Sequence, residues 1–317
     1  MARIIKDITD LKRHIIVSAT FDFAKVLPFA KRVERKIILD LIGQDQYDSI
    51  VVHTFVPENT DPINQVKELL EEAVANYSLL LALPTINVLI TNSGTKTSEN
   101  KEASNADWKD KRDLSRSLLK TYNEALDDAF QIMEENVADF PDWRDSKYYT
   151  VFKDLIVSQT TLFNDHFSIN KNRQTFFALK PYMREVEDQY LKAMLGACTL
   201  DFIKAKSVND IVLEAQEIAR KAIVAFTVAK AAITGTFTFT DSSFMIASDQ
   251  MPWEKQSELS KEDRNDLKKD RQNAGEEYLK SLKKLIVANP LVFTCYEDKT
   301  ESGITDKLIR KKSGLTL

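Results

Sequence analysis

Apolar residues recur every three or four positions through most of this chain, the spacing of one buried face on a helix. Val33, Ile37, Ile38 and Leu41 mark a helix running from Pro28 to Leu41. Val66, Leu69, Leu70, Ala73, Tyr77 and Leu80 predict a second over 64–82, with a counterpart over 209–232. Leu114, Leu118, Tyr122, Ala125, Ala129 and Met133 predict a third over 109–136. Leu267, Ala274, Tyr278, Leu282 and Leu285 predict its counterpart over 262–288. The aromatic run around Trp143, Tyr148, Tyr149 and Phe152 leads into a connecting helix at about 146–163. The period changes to two at Thr236–Thr240, where Thr and Phe alternate, and a short strand is expected there and at Ile86–Thr91. Each strand can begin a hairpin, turned by Ser93-Gly94 or Asp241-Ser242.

The pattern occurs twice, and long-period self-similarity is the signature of repeated units. At an offset of 153, residues 23–50 meet 176–203 with seven identities in 28 ungapped positions. They include Pro28 with Pro181, Val33-Glu34 with Val186-Glu187, and Gly43 with Gly196. At an offset of 149, Leu118 meets Leu267, Ala125 meets Ala274 and Pro141 meets Pro290. The segment around His14 resembles that around His166. The expected fold is mainly α, a tandem duplication of a helical-bundle unit with a short strand or hairpin in each copy. The copies are placed at 1–155 and 156–317, the second with a basic tail. Each opens with a short extended or turn segment, Ile15-Ile16-Val17 or Phe167-Ser168-Ile169, before its first helix. Pro28 and Pro181 suit a first helical position, where a missing N–H costs nothing. Gly43 and Gly196 are expected to end that helix as left-handed caps.

Composition bounds the function more than it defines it. With 44 basic and 48 acidic residues the chain lacks the basic excess of a dedicated nucleic-acid binder. There is no apolar run of 18 residues and no signal-peptide core near Met1, so a protein made and kept in the cytoplasm is expected. The two cysteines, Cys198 and Cys295, form no metal or redox spacing motif and fit reduced cytosolic thiols, with Cys198 read as a buried small residue.

Candidate chemistry is sparse. His14, His53 and His166 have no second ligand at helical spacing, and the equivalence of His14 and His166 favours packing or capping over a metal. No nucleophile elbow, phosphate loop or dinucleotide glycine pattern is present. The pairs Asp127-Asp128, Glu134-Glu135 and Glu276-Glu277 read as solvated helix faces rather than an acid–base couple. No cofactor is expected. Lys280–Lys284 and Lys307–Lys312 lack interleaved aromatics and suit an acidic protein partner or plain solvation better than DNA. The polar stretch Asn92–Asp107 reads as a mobile loop, whereas loop 241–262 carries Phe244, Met245, Met251 and Trp253 and either packs on its own unit or meets a partner.

Several stretches carry a resemblance. They are Leu27-Pro28 through Leu41-Ile42-Gly43, Leu83-Pro84-Thr85-Ile86-Asn87-Val88-Leu89-Ile90-Thr91, Ala106-Asp107-Trp108, Phe140-Pro141-Asp142-Trp143 and Phe176-Phe177-Ala178-Leu179-Lys180-Pro181. Together they resemble an uncharacterised family encoded among the virion-assembly proteins of phages and prophages of Bacteroidetes-type bacteria. The helix-to-Gly segments are also similar to the head–tail connector (adaptor) proteins of tailed phages. The resemblance implies a non-enzymatic neck component of the virion, made in the host cytoplasm, with no membrane association. It implies a homo-oligomeric ring touching the portal and other neck or tail proteins, with DNA passing non-specifically. Phe244, Met245, Met251, Trp253, Lys307, Arg310, Lys311 and Lys312 are then the candidate partner contacts. Another tail- or capsid-associated structural role, or a soluble enzyme with an unrecognised site, are the alternatives.

Overall fold

Local capping sets where the elements start. The computed structural model describes residues 3–35, 39–54, 56, 60–86, 88–91, 94–97, 107–239, 244–247 and 258–297. The Asp7 carboxylate accepts from the backbone N–H groups of Thr9 and Asp10 and opens α1 (Ile8–His14). A single 3₁₀ turn capped by Asp22 leads to α2 (Leu27–Val33), with Pro28 in its first turn. Then come α3 (Leu39–Ile42), α4 (Gln44–Val52) and the long α5 (Pro62–Ile86). β1 (Val88–Thr91) pairs antiparallel with β2 (Gly94–Thr97), with Thr91 opposite Gly94. Asp107 caps α6 (Trp108–Glu135), followed by α7 (Pro141–Arg144) and α8 (Lys147–Lys153).

The second half repeats this order. It runs α9 (Thr160–Asn164), α10 (Arg173–Val186), a π-helical stretch Glu187–Lys192, α11 (Ala193–Leu195), α12 (Ala197–Lys204) and α13 (Asp210–Ala231). The hairpin of β3 (Phe237–Phe239) and β4 (Phe244–Ile246) follows, then α14 (Lys261–Ala288). The molecule is a tandem duplication of one mainly helical unit, and in each unit the two long helices, α5 with α6 and α13 with α14, pack along each other.

Two large hydrophobic cores result, with a smaller cluster of Val26, Leu79, Ala82 and Leu118 beside the first. One gathers residues from Ile4 to Trp143, the other from Leu155 to Phe293, and Phe177 packs against both. Helix α5 is apolar and long enough to cross a membrane, but Lys67, Glu71 and Asn76 are buried along it, as suits the central helix of a packed unit.

The shared Val-Glu and Gly positions now have a physical meaning. Glu34 and Glu187 are both buried and both begin a widened π turn. Glu34 Oε1 accepts from the backbone N–H of Ile4 and Ile5, at 3.2 and 3.3 Å. Glu187 Oε1 accepts from Ile156 N–H at 2.7 Å, while Lys204 Nζ lies 2.5 Å from its other oxygen. Each glutamate therefore pins the segment that enters its own unit, and burial pushes both carboxyls above their ordinary range.

Several expectations are corrected. Gly43 (φ 93°, ψ 155°) and Gly196 (φ 77°, ψ 163°) are not left-handed helical caps. They adopt an extended positive-φ conformation open essentially to Gly alone, and each joins two helices as the N-cap of the second. Pro181 does not start a helix: α10 begins at Arg173, capped by Asn172, and Pro181 lies inside it. The expected 146–163 helix is split into α8 and α9 by residues 154–159. The opening segments at 15–17 and 167–169 are each preceded by a short helix, α1 or α9. Cys198 and Cys295 are joined in a disulfide, and both are exposed, so neither is a buried free thiol. They lie 97 residues apart, and only the return of the chain after α14 to α12 brings them together. The polar stretch expected as a loop holds β2 at 94–97, while 98–106 lies outside the described residues.

Candidate functional site

The richest polar constellation lies at the seam between the repeats. Helix α10 places Arg173 at its first position, after two left-handed residues, Asn170 (φ 53°) and Lys171 (φ 52°), turn the chain. Its guanidinium enters the face of α6 in the other repeat. Nε lies 2.8 Å from Asp127 Oδ1, and Nη1 donates to Glu134 Oε1 at 2.8 Å. Nη2 donates to the Asp127 carbonyl at 3.4 Å. The rings of Phe130, Phe176 and Phe177 surround the cation at 5.2, 5.8 and 6.0 Å. The Arg173 and Asp127 side chains are each 1% exposed. Burial pushes the Asp127 and Glu134 carboxyls upward, and the Arg173 charge opposes that shift.

Beside this knot runs a groove of about 840 Å³ lined by both repeats. Trp143, Tyr148 and Tyr149 come from α7 and α8, and Phe177 from α10. The Trp143 and Tyr149 rings lie 4.6 Å apart, and Phe177 meets Phe130 edge-on at 5.6 Å. Tyr148 lies so close to Gly43 that a Cβ there would sit 3.2 Å from its ring, a second reason for glycine at that turn. Arg144, Lys153, Lys204, Lys206 and Arg220 bring positive charge, balanced in part by Glu134 and Glu135. Much of this charge is engaged: Arg144 with Asp145, Lys204 with Glu187, and Glu134 with Arg173. Among the described residues neither His nor Cys lines the groove. Among the described residues no three His, Cys, Asp or Glu side chains cluster as metal ligands do.

A second shared device closes the helix after each glycine. Lys67 Nζ donates to the Val51 carbonyl at 3.1 Å and to that of His53, at the end of α4. Gln216 Nε2 donates to the Ile203 and Ala205 carbonyls at 2.7 and 2.9 Å, at the end of α12. Both side chains satisfy terminal carbonyls that would otherwise lack partners. Burial depresses the Lys67 ammonium below its ordinary range.

The histidines take packing positions. His14 Nε2 lies 3.5 Å from Glu71 on α5, and His166 Nε2 3.6 Å from Glu217 on α13. His53 Nε2 lies 3.5 Å from Asp61. The carboxylate pairs separate: Glu276 and Glu277 are exposed as expected, but Asp127 is buried and Glu134 nearly so, which corrects the solvated-face reading for those two. The reason lies in the other repeat, where Arg173 sits. Of the expected partner contacts, Phe244 packs into its own repeat, 2% exposed and stacked on Phe239 at 4.3 Å. Met245 is half-buried in the same strand. Met251, Trp253, Lys307, Arg310, Lys311 and Lys312 lie outside the described residues. The local signal for Arg173 is weak, a charged residue between the turn at Asn170-Lys171-Asn172 and the pair Phe176-Phe177.

At the offsets that align the repeats, Arg173 corresponds to Thr20, and Asp127 and Glu134 to Glu276 and Lys283. The knot therefore belongs to the joint between the copies and is not part of the repeated pattern.

The family described as a family of unknown function (DUF6712) matches residues 38–153 and again 174–305. The two matches cover well over half of the chain, which belongs to that family. One family matching both halves agrees with the duplicated architecture. No curated protein and no solved structure matches.

Proposed function

We propose that this protein is a structural component of a tailed-phage virion, a head-to-tail connector of the neck that works by protein–protein assembly. The observation that carries the reading is the Arg173 knot. The most deeply buried charges at the seam are committed to one another, Arg173 to Asp127 and Glu134, and so serve rigidity between the repeats rather than turnover of a substrate. The motif resemblance running from Leu27 to Pro181 supplies the virion context. Exposed apolar side chains such as Val208 and Leu291 offer contact material that does not line the 840 Å³ groove. In this reading identical copies form a ring that meets the portal and neighbouring neck or tail proteins. The near balance of charge lets DNA slide past rather than bind. The protein is made in the host cytoplasm and ends in the particle.

Native mass measurement and electron microscopy of the purified protein test this. Rings of many copies, with the protein present in purified particles, are expected. A monomer absent from particles overturns it. Mass spectrometry of separated heads and tails distinguishes a neck position from another tail or capsid position.

One observation favours a different class. The 840 Å³ groove is large enough for a small molecule and collects charged residues from several elements, as a soluble enzyme's site does. A ligand screen read by thermal shift separates the two. A compound whose stabilisation disappears in Lys153→Ala/Lys206→Ala protein favours the enzyme.

A further inference from the structure

In each repeat the chain returns after its last long helix to the helix that follows the shared glycine. The first repeat closes this contact without a covalent bond: Trp143 N–H donates to Gln46 Oε1 of α4 at 3.1 Å, and Trp143 is 2% exposed. In the second repeat Phe293 is the buried residue of the returning segment, edge-on to Phe202 of α12 at 5.9 Å. Val292 N–H and Phe293 N–H both donate back to the Asn289 carbonyl, and Tyr296 N–H to that of Phe293, so these bonds stay within the segment. The covalent tie to α12 is the Cys198–Cys295 disulfide. It uses the chain's two cysteines, and both are exposed.

An exposed disulfide is open to in-line attack by a thiolate. Phe202, four residues after Cys198 on α12, is 43% exposed, and Leu291, four residues before Cys295, is 92% exposed. The basic stretch Lys307–Lys312 follows Cys295 along the chain. We propose that Cys198–Cys295 is a reversible thiol-exchange site, a latch that fixes the returning segment 289–297 on α12 when oxidised and frees it when reduced. A dithiol reductant supplies the electrons. Its thiolate attacks one cysteine sulfur, the S–S bond breaks, and the other cysteine leaves as a thiolate. The second thiol of the reductant then displaces the mixed disulfide. The balance is one protein disulfide and one dithiol giving two cysteine thiols and one oxidised dithiol. In a thiol-rich cytoplasm the latch is open; outside the cell it closes. Residues 289–297 and the Phe202 face therefore present one surface before release and another after it.

The test uses the full chain after purification in air. Maleimide labelling under denaturing conditions is expected to find no free thiol before dithiothreitol and two after it. Amide exchange at Val292, Phe293 and Tyr296 is expected to quicken at least tenfold on reduction, to match that in Cys295→Ser protein, and to slow again on adding glutathione disulfide. Exchange in α5 and α6 stays constant and serves as the internal control. Two free thiols in oxidised protein overturn the proposal. So does a disulfide whose reduction leaves exchange in 289–297 unchanged, which marks a static staple. Neither outcome bears on ring assembly, so the latch and the connector reading stand or fall separately.

Discussion

Asp127 of the first repeat and Arg173 of the second meet at 2.8 Å with both side chains 1% exposed, so a buried charge of one copy is neutralised by the other. Removing one partner of such a buried pair leaves an unpaired charge and costs about 3–5 kcal/mol. Arg173→Leu is therefore expected to lower stability by about that much in urea titration. Replacing all three groups with apolar side chains, as in Arg173→Met/Asp127→Leu/Glu134→Met, removes the desolvation problem and is expected to restore most of the loss. A single variant that unfolds at the wild-type midpoint sinks the account of the knot.

Glu34 makes stability depend on pH with a definite sign. Burial raises its carboxyl in the folded chain above the unfolded value of about 4.5. The folded state thus holds the proton more tightly. Its contribution is complete below pH 4.5 and is lost as pH rises through the raised folded value. Glu34→Gln keeps an oxygen to accept from Ile4 and Ile5 but cannot ionise. The stability of this variant relative to wild type should therefore increase from pH 4.5 towards pH 8. Parallel thermal melts at several pH values check it, and a constant difference across that window counts against it.

Lys67 and Gln216 close equivalent helices with different chemistry, which makes one substitution informative. Lys67→Gln places in the first repeat the group that the second already uses, and its stability is expected to stay close to wild type. Lys67→Met leaves the Val51 and His53 carbonyls without this donor and is expected to cost about 1–3 kcal/mol. Equal losses for the two variants contradict the shared role.

Gly275 reverses the usual propensity rule. Glycine inside a helix is about 1 kcal/mol worse than alanine. Yet a Cβ at Gly275 would lie 2.8 Å from the Phe226 ring, itself stacked on Tyr190 at 4.1 Å. Gly275→Ala is expected to destabilise by about 1–3 kcal/mol, as overpacking does. Gly43→Ala is expected to lose more than Gly196→Ala: both have positive φ, but only Gly43 has the Tyr148 ring against it. Denaturant midpoints of the three variants settle the order.

Periodicity exposed the long helices because their apolar faces are local facts: α6, α13 and α14 fall within a residue or so of where the spacing places them. The repeat was legible for the same reason. Gly43 and Gly196 were visible as shared positions, but their conformation depends on helices meeting from both sides. Pro181 misled because a proline fits a first turn so well, while the true start at Arg173 is set by Asn172 and the turn before it. Asp127 and Glu134 looked solvated because their partner lies 46 and 39 residues away, in another repeat. The disulfide was hidden in the same way, by contacts that exist only after the chain has folded back.

The joint between the copies carries a last consequence. Its cation corresponds to Thr20 at the start of the chain, and its two acids to Glu276 and Lys283 near the other end. A third unit arriving at α14 finds one carboxylate turned into an ammonium and no guanidinium to offer. The joint is thus specific to this pair of copies, unlike the repeated interface of a solenoid that grows by stacking further modules. Neighbouring chains that met through α14 would lack this pairing, so their angle need not repeat the angle between the halves of one.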